Sequence, residues 1–323
     1  MKVLLTGGAG YIGSHTTRLL LEKGFTPIVV DTLENGHREA IPSEVKFYNG
    51  NINNKELVSK IFIENEIGAI IHFAGYIEAG ESMKDPLKFY NNNVSNATTF
   101  LKIAIKNNIK KIVFSSTAGV YGQPKEMPIT ELSPTVPTNY YGWTKLFFEN
   151  ILDSCKVYGL NNICLRYFNA AGAGYNLGED HSPESHLIPL ILKTALKQRE
   201  SIKVFGTDFP TPDGTGVRDY IHVLDLAEAH IEALKLLDKG ITGKYNVGTG
   251  KGSSVKEVID ISKQITNLDI PVIETPRREG DPAELVASTE KFQRITPWRP
   301  KYDIKDIIQS AWNWHSSNPQ GFK

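Results

Sequence analysis

The sequence predicts an α/β fold in which a doubly wound parallel sheet is joined to a smaller α/β lobe. In the first half of the chain, short apolar runs alternate with longer helical patterns, which is typical of a parallel sheet with helices on both faces. A glycine-rich turn follows the first apolar run, and after Asn169 the alternation gives way to glycine and turn residues. A length of 323 residues suits one large domain or two ordinary ones.

Five buried strands and four helices are predicted in the first half. The strands are Val3–Thr6, Pro27–Asp31, Ala69–Phe73, Lys111–Ser115 and Ile163–Tyr167. The helices between them are Ile12–Lys23, Lys55–Glu66, Asn92–Asn107 and Thr144–Lys156. Ligands of such sheets bind beyond the carboxyl ends of the strands, so functional residues are expected there.

The second half is predicted to form the smaller lobe. Its elements are the helix Leu187–Arg199, the strand Ile202–Phe205, the loop Gly206–Asp219, the segment Tyr220–Val223, the helix Leu224–Leu237, the segment Lys244–Val247 and the helix Val255–Ile265. We place the boundary after residue 170, which gives domains 1–170 and 171–323. The two are expected to interleave, because some later elements return to the first domain.

Composition and charge narrow the range of partners. Lys and Arg total 36, as do Asp and Glu, so no net charge draws the chain to nucleic acid or to an anionic membrane. No apolar run is long enough for a signal peptide or a membrane span. Cys155 and Cys164 do not form a CxxC pair, so neither a disulfide framework nor a metal site is expected, and a cytoplasmic location is predicted.

The turn after the first strand, TGGAGYIG, has the spacing of a dinucleotide-binding loop. It matches GxGxxG through Gly8, Gly10 and Gly13, and GxxGxxG through Gly7, Gly10 and Gly13. Such glycines let the backbone approach a pyrophosphate, and the helix that follows directs its free N–H groups at the anion. Asp31 ends the second strand, where a carboxylate accepts hydrogen bonds from the ribose and repels a 2′-phosphate. The first domain is therefore predicted to be of the Rossmann type and to bind NAD.

A second group of residues predicts acid–base chemistry. Ser115 and Thr117 lie at the carboxyl end of the fourth strand, and 24 residues after Thr117 comes Tyr141-x-x-x-Lys145. Residues i and i+4 share a helix face, which puts Tyr141, and not Tyr140, in register with Lys145. A nearby ammonium, together with a cationic nicotinamide ring, would favour the phenolate of a tyrosine whose pKa is ordinarily about 10. The pattern predicts a base that removes a proton from a sugar hydroxyl.

In this order the motifs resemble those of the extended short-chain dehydrogenase/reductase family. Within it the chain is similar to the enzymes that epimerise UDP-hexoses at C4, and the resemblance covers essentially the whole chain. The segments that carry it are TGGAGYIGSH (Thr6–His15), HFAG (His72–Gly75), GESM (Gly80–Met83), NNV (Asn92–Val94), VYG (Val120–Gly122), RYFNAAGA (Arg166–Ala173), GTDFPTPDGTGVRDYIHV (Gly206–Val223) and RREGD (Arg277–Asp281).

The resemblance implies an enzyme of galactose metabolism that interconverts UDP-galactose and UDP-glucose with tightly bound NAD. Tyr141 would take the proton from the sugar O4 while C4 gives its hydride to NAD. The 4-keto sugar would then turn, and the hydride would return to the opposite face. Thr117 would bridge to O4 through its hydroxyl, and Lys145 would tune Tyr141 and bind the nicotinamide ribose. A homodimer is implied as well, with Asn92–Asn107 and Thr144–Lys156 as the candidate interface.

The glycine motif and the resemblance together predict two sets of binding residues. The cofactor set is Gly7, Gly10, Tyr11, Ile12, Gly13, Asp31, Asn35, Asn51, Ile52, Phe73, Ala74, Gly75, Asn92, Ser115, Tyr141, Lys145 and Phe168. The substrate set is Thr117, Tyr141, Asn169, His186, Leu187, Lys203, Val204, Phe205, Arg218, Arg278 and Asp281. The resemblance implies that Arg218 and Arg278 hold the UDP diphosphate and that Asp281 lies near the uridine ribose, and the several donors of arginine suit phosphate oxygens.

The chain departs from the family pattern at four positions. Ile77 stands where some members carry a lysine that reaches the NAD diphosphate, so that contact is lost. Asn51 stands where an aspartate usually meets the adenine amino group, and its amide oxygen can still accept that hydrogen bond. Thr117 keeps the hydroxyl of the more common serine, and His186 replaces a frequent asparagine.

Other functions remain open at this point. A sugar-nucleotide 4,6-dehydratase would carry an acid and a base directly after the threonine, where this chain has Ala118 and Gly119. Epimerases of UDP-N-acetylglucosamine, UDP-pentoses or UDP-glucuronate, and a dehydrogenase that releases NADH, share the same motifs. A scaffold that senses NAD without catalysis would be expected to have lost Tyr141, Lys145 or the glycines.

Overall fold

A sheet of seven strands organises the first part of the chain. Its strands are β1 (Lys2–Thr6), β2 (Thr26–Asp31), β3 (Lys46–Asn49), β4 (Ile67–His72), β5 (Lys111–Thr117), β6 (Asn161–Tyr167) and β10 (Gly243–Val247). They lie in the order β10-β6-β5-β4-β1-β2-β3, and every neighbouring pair from β6 to β3 is parallel. The order 3-2-1-4-5-6 is that of the Rossmann fold, so the predicted fold class is confirmed.

The structure is a computed structural model that describes residues 1–278 and 280–322. Glu279, within the RREGD segment, and Lys323 lie outside the described residues. The chain divides into two units. The first consists of Met1–Gly122, Thr135–Tyr167 and Ala227–Tyr245, and the second of Gln123–Pro134, Phe168–Leu226 and Asn246–Lys323.

Helices connect the strands of the first unit. They are α1 (Tyr11–Glu22), α2 (Lys55–Glu64), α3 (Ala79–Lys84), α4 (Pro86–Tyr90), α5 (Ala97–Lys106), α6 (Tyr140–Ser154) and α8 (Val223–Asp238), the last of which begins in the second unit. The predicted helix Asn92–Asn107 starts as a π-helical turn, Asn91–Asn96, before it becomes α5.

Helix α6 begins four residues before the predicted Thr144. Asn139 caps it, since its side-chain oxygen accepts a hydrogen bond from the Gly142 N–H at 2.8 Å. An asparagine at this position satisfies one of the free N–H groups of the first turn. The predicted start was wrong because Asn139 caps the helix before its apolar pattern begins.

The core of the first unit lies on both faces of the sheet. Leu4, Ile70 and Ile112 are fully buried and belong to one cluster with Phe100 and Phe148. Consecutive residues of β1 are buried as well, which is expected for a parallel strand covered on both faces. Burial of this kind is the main stabilising contribution to the unit.

The second unit is built from smaller sheets and helices. Its strands are β7 (Asn169–Ala171), β8 (Ile202–Phe205), β9 (Val217–His222), β11 (Gly252–Ser254), β12 (Val272–Thr275) and β13 (Glu284–Leu285). Its helices are α7 (Leu187–Ala195), α9 (Val255–Thr266), α10 (Glu290–Ile295) and α11 (Ile304–Ser317). Strand β9 pairs with β7, β11 and β13, and β8 pairs with β12. The predicted smaller α/β lobe is therefore present.

Helices α7, α9 and α11 enclose the core of this unit. Ile191, Val258 and Ile307 are fully buried in one cluster with Val204 of β8. Strand β8 has the predicted bounds, whereas α7 ends at Ala195 and not at Arg199. Within residues 1–278 and 280–322, no helix combines the length and the apolar character needed to cross a bilayer.

Candidate active site

Two positions in the turn after β1 require glycine because a side chain there would clash with the protein backbone. Gly7 has a φ of +69°, and a Cβ there would lie 2.6 Å from the backbone nitrogen of Ala74. A Cβ on Gly13 would lie 2.4 Å from the carbonyl oxygen of Gly7. Gly7 therefore allows the tight turn, and Gly13 allows the close packing of α1 on that turn.

Gly10 is different, because nothing in the protein excludes a side chain there. Its φ is −73°, and a Cβ would meet only the Gly7 carbonyl oxygen, at an ordinary 3.5 Å. Gly10 is the N-cap of α1 and supplies no side-chain cap to the N–H groups of the first turn. A glycine in open space beside uncapped N–H groups fits a pyrophosphate that approaches the backbone closely.

Asp31 is buried at the end of β2, beside this turn. Its carboxylate accepts hydrogen bonds from the backbone N–H groups of Ala9 and Leu33, each at 2.9 Å. Burial raises the pKa of Asp31, and these two hydrogen bonds oppose the rise. They also orient the carboxylate, whose remaining lone pairs can accept from ribose hydroxyls.

The strand order reverses between β1 and β4, and their carboxyl ends are joined directly. The backbone N–H groups of Phe73 and Ala74 both donate to the Thr6 carbonyl, at 2.9 and 3.0 Å. Ligands of doubly wound sheets bind at such a reversal. The structure therefore brings the segment Phe73–Gly75 next to the glycine turn, as its assignment to the cofactor set requires.

The remaining cofactor positions of the first unit are less distinctive. Asn51 already accepts a hydrogen bond from the Asn53 N–H at 3.0 Å, while Ile52 is buried and Asn35 is exposed. Asn92 lies in the π-helical turn, a feature that is frequent at functional sites. These positions stay predictions.

A neighbouring residue, Asn93, was missed as a functional residue. Its buried amide accepts from the Tyr76 N–H at 2.8 Å and donates to the Tyr76 carbonyl at 2.9 Å and to the Thr144 hydroxyl at 3.1 Å. Asn93 thus holds the chain after HFAG against α6. Only its place in the NNV segment could have drawn attention to it.

Tyr141 lies in the first turn of α6 and is hydrogen-bonded to Thr117. The backbone N–H of Tyr141 donates to the Ser82 hydroxyl at 3.0 Å, which fixes the start of the helix. Burial raises the pKa of Tyr141 to about 12, the Thr117 hydroxyl opposes the rise, and the negative charge of Glu78 adds to it. In the protein alone the phenol is therefore neutral at physiological pH.

Lys145 is 3% exposed, and its Nζ donates to the Ser115 carbonyl at 2.9 Å. It lies 5.8 Å from the centre of the Tyr141 ring, so the predicted YxxxK register brings the two side chains near each other. Burial lowers the pKa of Lys145 to about 8. Most of the Lys145 side chains therefore still carry their proton near pH 7, and the expectation that this ammonium, together with a nicotinamide ring, favours the phenolate stays a prediction.

A buried ion pair that sequence reasoning also missed supports the helix that carries Tyr141 and Lys145. Arg166 of β6 donates to both carboxylate oxygens of Glu149 on α6, at 2.9 and 2.7 Å, and Ser116 donates to the same carboxylate at 2.5 Å. Arg166 further donates to the Tyr121 hydroxyl at 2.9 Å. The pair locks α6 onto β5 and β6 and so positions Tyr141. It joins residues distant in sequence, so no local pattern could reveal it.

In the second unit the predicted diphosphate and ribose residues are close together. Arg218 donates to the Asp281 carboxylate at 3.0 Å, and the Arg278 guanidinium lies 3.8 Å from the centre of the Phe205 ring. The Asp281 N–H also donates to the Arg278 carbonyl at 3.3 Å. Guanidinium groups can bind the diphosphate of a nucleotide through charge, and the Phe205 ring beside Arg278 offers an aromatic surface.

Other residues of the predicted substrate set differ in exposure. Asn169 and Lys203 are exposed, whereas Val204 is buried in the core and offers a ligand only its backbone. Leu187 packs against the same core. Phe168, predicted to bind the cofactor, is buried in the second unit, where its N–H donates to the Val247 carbonyl.

His186 immediately precedes α7 and is involved in contacts that the sequence did not suggest. Its Nδ1 lies 2.8 Å from Glu179 Oε1 and 3.2 Å from Glu184 Oε1. Burial lowers the pKa of His186, but the two carboxylates raise it well above its usual range. The histidine therefore has structural contacts in addition to the predicted contact with the nucleotide.

Comparisons with known proteins agree with this geometry. The sequence profile of the NAD dependent epimerase/dehydratase family matches residues 3–248. A UDP-glucose 4-epimerase of Halalkalibacterium halodurans is 52% identical over 327 aligned positions, which cover 100% of this chain and 98% of that protein. One from Lacticaseibacillus casei is 48% identical, with 100% and 99% covered. The crystal structure of a Bifidobacterium longum UDP-glucose 4-epimerase in complex with NAD+ and UDP is 42% identical, has a TM-score of 0.95 and is matched over 100% of both chains.

Proposed function

The chain belongs to the NAD dependent epimerase/dehydratase family, and we propose that it interconverts UDP-galactose and UDP-glucose with bound NAD. The observation that carries the proposal is the Tyr141–Thr117 hydrogen bond in the same unit as the glycine turn. A phenol and a hydroxyl placed together provide the proton-transfer groups that reversible oxidation of a sugar alcohol requires.

The protein's own groups bind the cofactor and handle the proton. Bound NAD would supply the acceptor and donor of the C4 hydride, and its oxidised ring would add a positive charge to that of Lys145. Gly10 and the start of α1 would hold the pyrophosphate, and Asp31 would hold the adenosine ribose. Tyr141 would take the proton from the sugar O4 and return it to O4 once the sugar has turned. Thr117 would orient O4 through its hydroxyl.

The substrate is a nucleotide-sugar, and the second unit has the residues to hold its UDP portion. Arg218 and Arg278 would bind the diphosphate, and Asp281 would accept from the uridine ribose. The ring of Phe205, which already stacks on Arg278, would lie beside the nucleotide. We propose accordingly that domain 1–170, with the later residues of the first unit, binds NAD and that domain 171–323 binds the UDP-sugar.

The test of this function uses the protein as purified, with UDP-galactose and no added NAD. We expect UDP-glucose to accumulate in large molar excess over the protein, because the cofactor is regenerated in each cycle. Chromatography of the nucleotide-sugars and absorbance of NADH measure the two outcomes. Release of NADH in a one-to-one ratio without any UDP-glucose would instead indicate a dehydrogenase.

We further propose a homodimer, on the evidence of an aromatic surface formed by residues of α4 and α6. Phe147 is 40% exposed, and Trp143 and Tyr90 lie 5.6 and 5.9 Å from its ring. Exposed aromatic clusters of this kind are enriched at protein interfaces. Phe147 belongs to the predicted interface helix Thr144–Lys156, while Tyr90 and Trp143 lie just outside the predicted bounds. Sedimentation of wild type and of Phe147→Glu tests the interface. Wild type should sediment as a dimer and the variant as a monomer.

A cytoplasmic location is the last part of the proposal. Cys155 and Cys164 are both buried free thiols, which suits a reducing compartment. Cell fractionation tests the location directly.

A further inference from the structure

The loop before α7 gathers four side chains whose chemistry the proposed function does not use. Glu179, His181, Glu184 and His186 each offer one carboxylate oxygen or imidazole nitrogen, and these four atoms lie within 4.8 Å of one another. All four residues fall within eight positions of the sequence EDHSPESH. Cysteine spacing gave no sign of such a site because its ligands are histidine and glutamate.

The distances within the cluster are close to those of a tetrahedral metal site. Nδ1 of His186 lies 2.8 Å from Glu179 Oε1, and Nδ1 of His181 lies 3.3 Å from the same oxygen. Nδ1 of His181 is 4.0 Å from Glu184 Oε2. Zinc bonds of about 2.0–2.2 Å place the ligand atoms of a tetrahedral site about 3.3–3.6 Å apart. Small side-chain shifts would bring all four atoms to that spacing.

Glu184 provides the observation that most directly indicates a ligand. Its side chain is 3% exposed, and its Oε1 accepts from the backbone N–H groups of Ser185 and His186 at 2.7 and 2.9 Å. These two hydrogen bonds orient the carboxylate. The other oxygen, Oε2, is buried, faces the cluster and has no hydrogen-bond partner among the described residues. A buried carboxylate oxygen without a partner is costly, so it calls for a cation.

The alternative to a metal is that both histidines are protonated and form a network of ion pairs with the two carboxylates. That network explains Glu184 Oε2 poorly. Nδ1 of each histidine lies close to Glu179 Oε1. Neither Nδ1 is within hydrogen-bond distance of Glu184 Oε2. A single ion at the centre would reach all four atoms at once.

We propose that Glu179, His181, Glu184 and His186 form a structural site for a divalent transition metal, with zinc as the best match. Two imidazole nitrogens and two carboxylate oxygens suit zinc, whereas magnesium and calcium prefer oxygen ligands alone. One divalent ion balances the two carboxylate charges when the imidazoles are neutral. Glu179 is 5% exposed and His186 is 44% exposed in its side chain, so the site is closed on one side and accessible on the other.

The metal would anchor the loop to the first turn of α7. His186 is the N-cap residue of that helix, and Ile188 and Ile191 of α7 lie in the core of the second unit. The ligand atom of His186 in this site would be Nδ1. The metal takes no part in the proposed reaction, and its test does not depend on activity.

The experiment measures zinc binding to the tag-free full-length chain after treatment with a chelator. Elemental analysis after gel filtration should find one zinc per chain, and calorimetry should show one saturable site. Glu184→Gln preserves the shape of the side chain, and His181→Asn removes a ligand. Each should weaken zinc binding by at least about tenfold, the lower range for changes near a metal site. His37→Asn, a histidine of the first unit outside the cluster, is the matched control and should bind zinc like wild type.

Cobalt in place of zinc adds a spectroscopic measurement. A tetrahedral site should give strong visible absorption in wild type and in His37→Asn, and that absorption should be lost in Glu184→Gln. Circular dichroism of each metal-free variant shows whether it is folded, and if His181→Asn does not fold, Glu184→Gln alone tests the proposal. Equal zinc binding by wild type and Glu184→Gln, or no binding by wild type above that of His181→Asn, would overturn the metal site in favour of the ion-pair network.

Discussion

Replacing Gly10 with alanine should separate cofactor binding from folding. A methyl group on Gly10 meets only the Gly7 carbonyl oxygen, at 3.5 Å, and the φ of −73° is ordinary for alanine. The space it would fill is the space that a pyrophosphate needs beside the start of α1. Gly10→Ala should therefore fold normally and bind NAD poorly.

The stability change follows from two opposing contributions. Alanine restricts the conformations of the unfolded chain more than glycine does. At a compatible φ this stabilises the folded protein by about 0.4–1 kcal/mol. Alanine is also a poorer N-cap than glycine, which costs about the same amount. The net change should be within about 0.5 kcal/mol of zero. Overpacking of a well-fitted contact costs about 1–3 kcal/mol, so NAD should bind roughly 5- to 150-fold more weakly.

Gly13→Ala is the matched control, because its methyl group meets the protein and not the ligand. It would lie 2.4 Å from the Gly7 carbonyl oxygen and 2.8 Å from the Gly8 Cα. The NAD-free variant should lose about 1–3 kcal/mol of unfolding free energy. Urea unfolding of both NAD-free variants measures stability, and calorimetry of NAD measures binding. A loss of stability in Gly10→Ala as large as that in Gly13→Ala, or NAD binding by Gly10→Ala equal to that of wild type, would contradict the role assigned to Gly10.

Two further predictions concern Tyr141 and His72. Tyr141→Phe should lower kcat by about 10²- to 10⁴-fold and leave NAD binding intact, while Tyr140→Phe should turn over normally; near-normal turnover of Tyr141→Phe would exclude it as the base. Burial and, to a lesser extent, the charge of Lys145 lower the pKa of His72 to about 3. Below about pH 6.5 His72 is protonated in the unfolded chain but still neutral in the folded protein. The free energy of unfolding therefore falls as the pH drops from 6.5 towards 3. Between pH 6.5 and 5 wild type should lose about 2 kcal/mol more than His72→Asn in urea unfolding, and equal losses would contradict the assignment.

Local patterns were sufficient to predict five strands of the central sheet and the glycine turn after β1. The five strands predicted in the first half are β1, β2, β4, β5 and β6, each within two residues of its observed start. Apolar runs, helical periods and glycine spacing are properties of neighbouring residues, so they can be read without knowing the fold. Strand β3, Lys46–Asn49, was missed because it has only four residues, KFYN, and lies at the edge of the sheet, where a single residue of the four is buried.

Long-range contacts could not be predicted in this way. The buried pair of Glu149 and Arg166 and the amide of Asn93 became visible only when their partners were brought together by folding. The four residues of the cluster around Glu179 are close in sequence, yet their ligand atoms come within 4.8 Å of one another only through the fold of the loop before α7. A run of acids and histidines is more often a solvated surface, so the sequence alone carries no such signal.

By itself, the sequence determined that Tyr141 is in register with Lys145 and that a dinucleotide loop opens the chain, because both depend on spacing along a helix or a turn. The tertiary structure decided how these groups are charged. Burial raises the pKa of Tyr141 to about 12 and lowers that of Lys145 to about 8. Spacing cannot give these values, since the cost of a charge depends on the water that folding removes from around it.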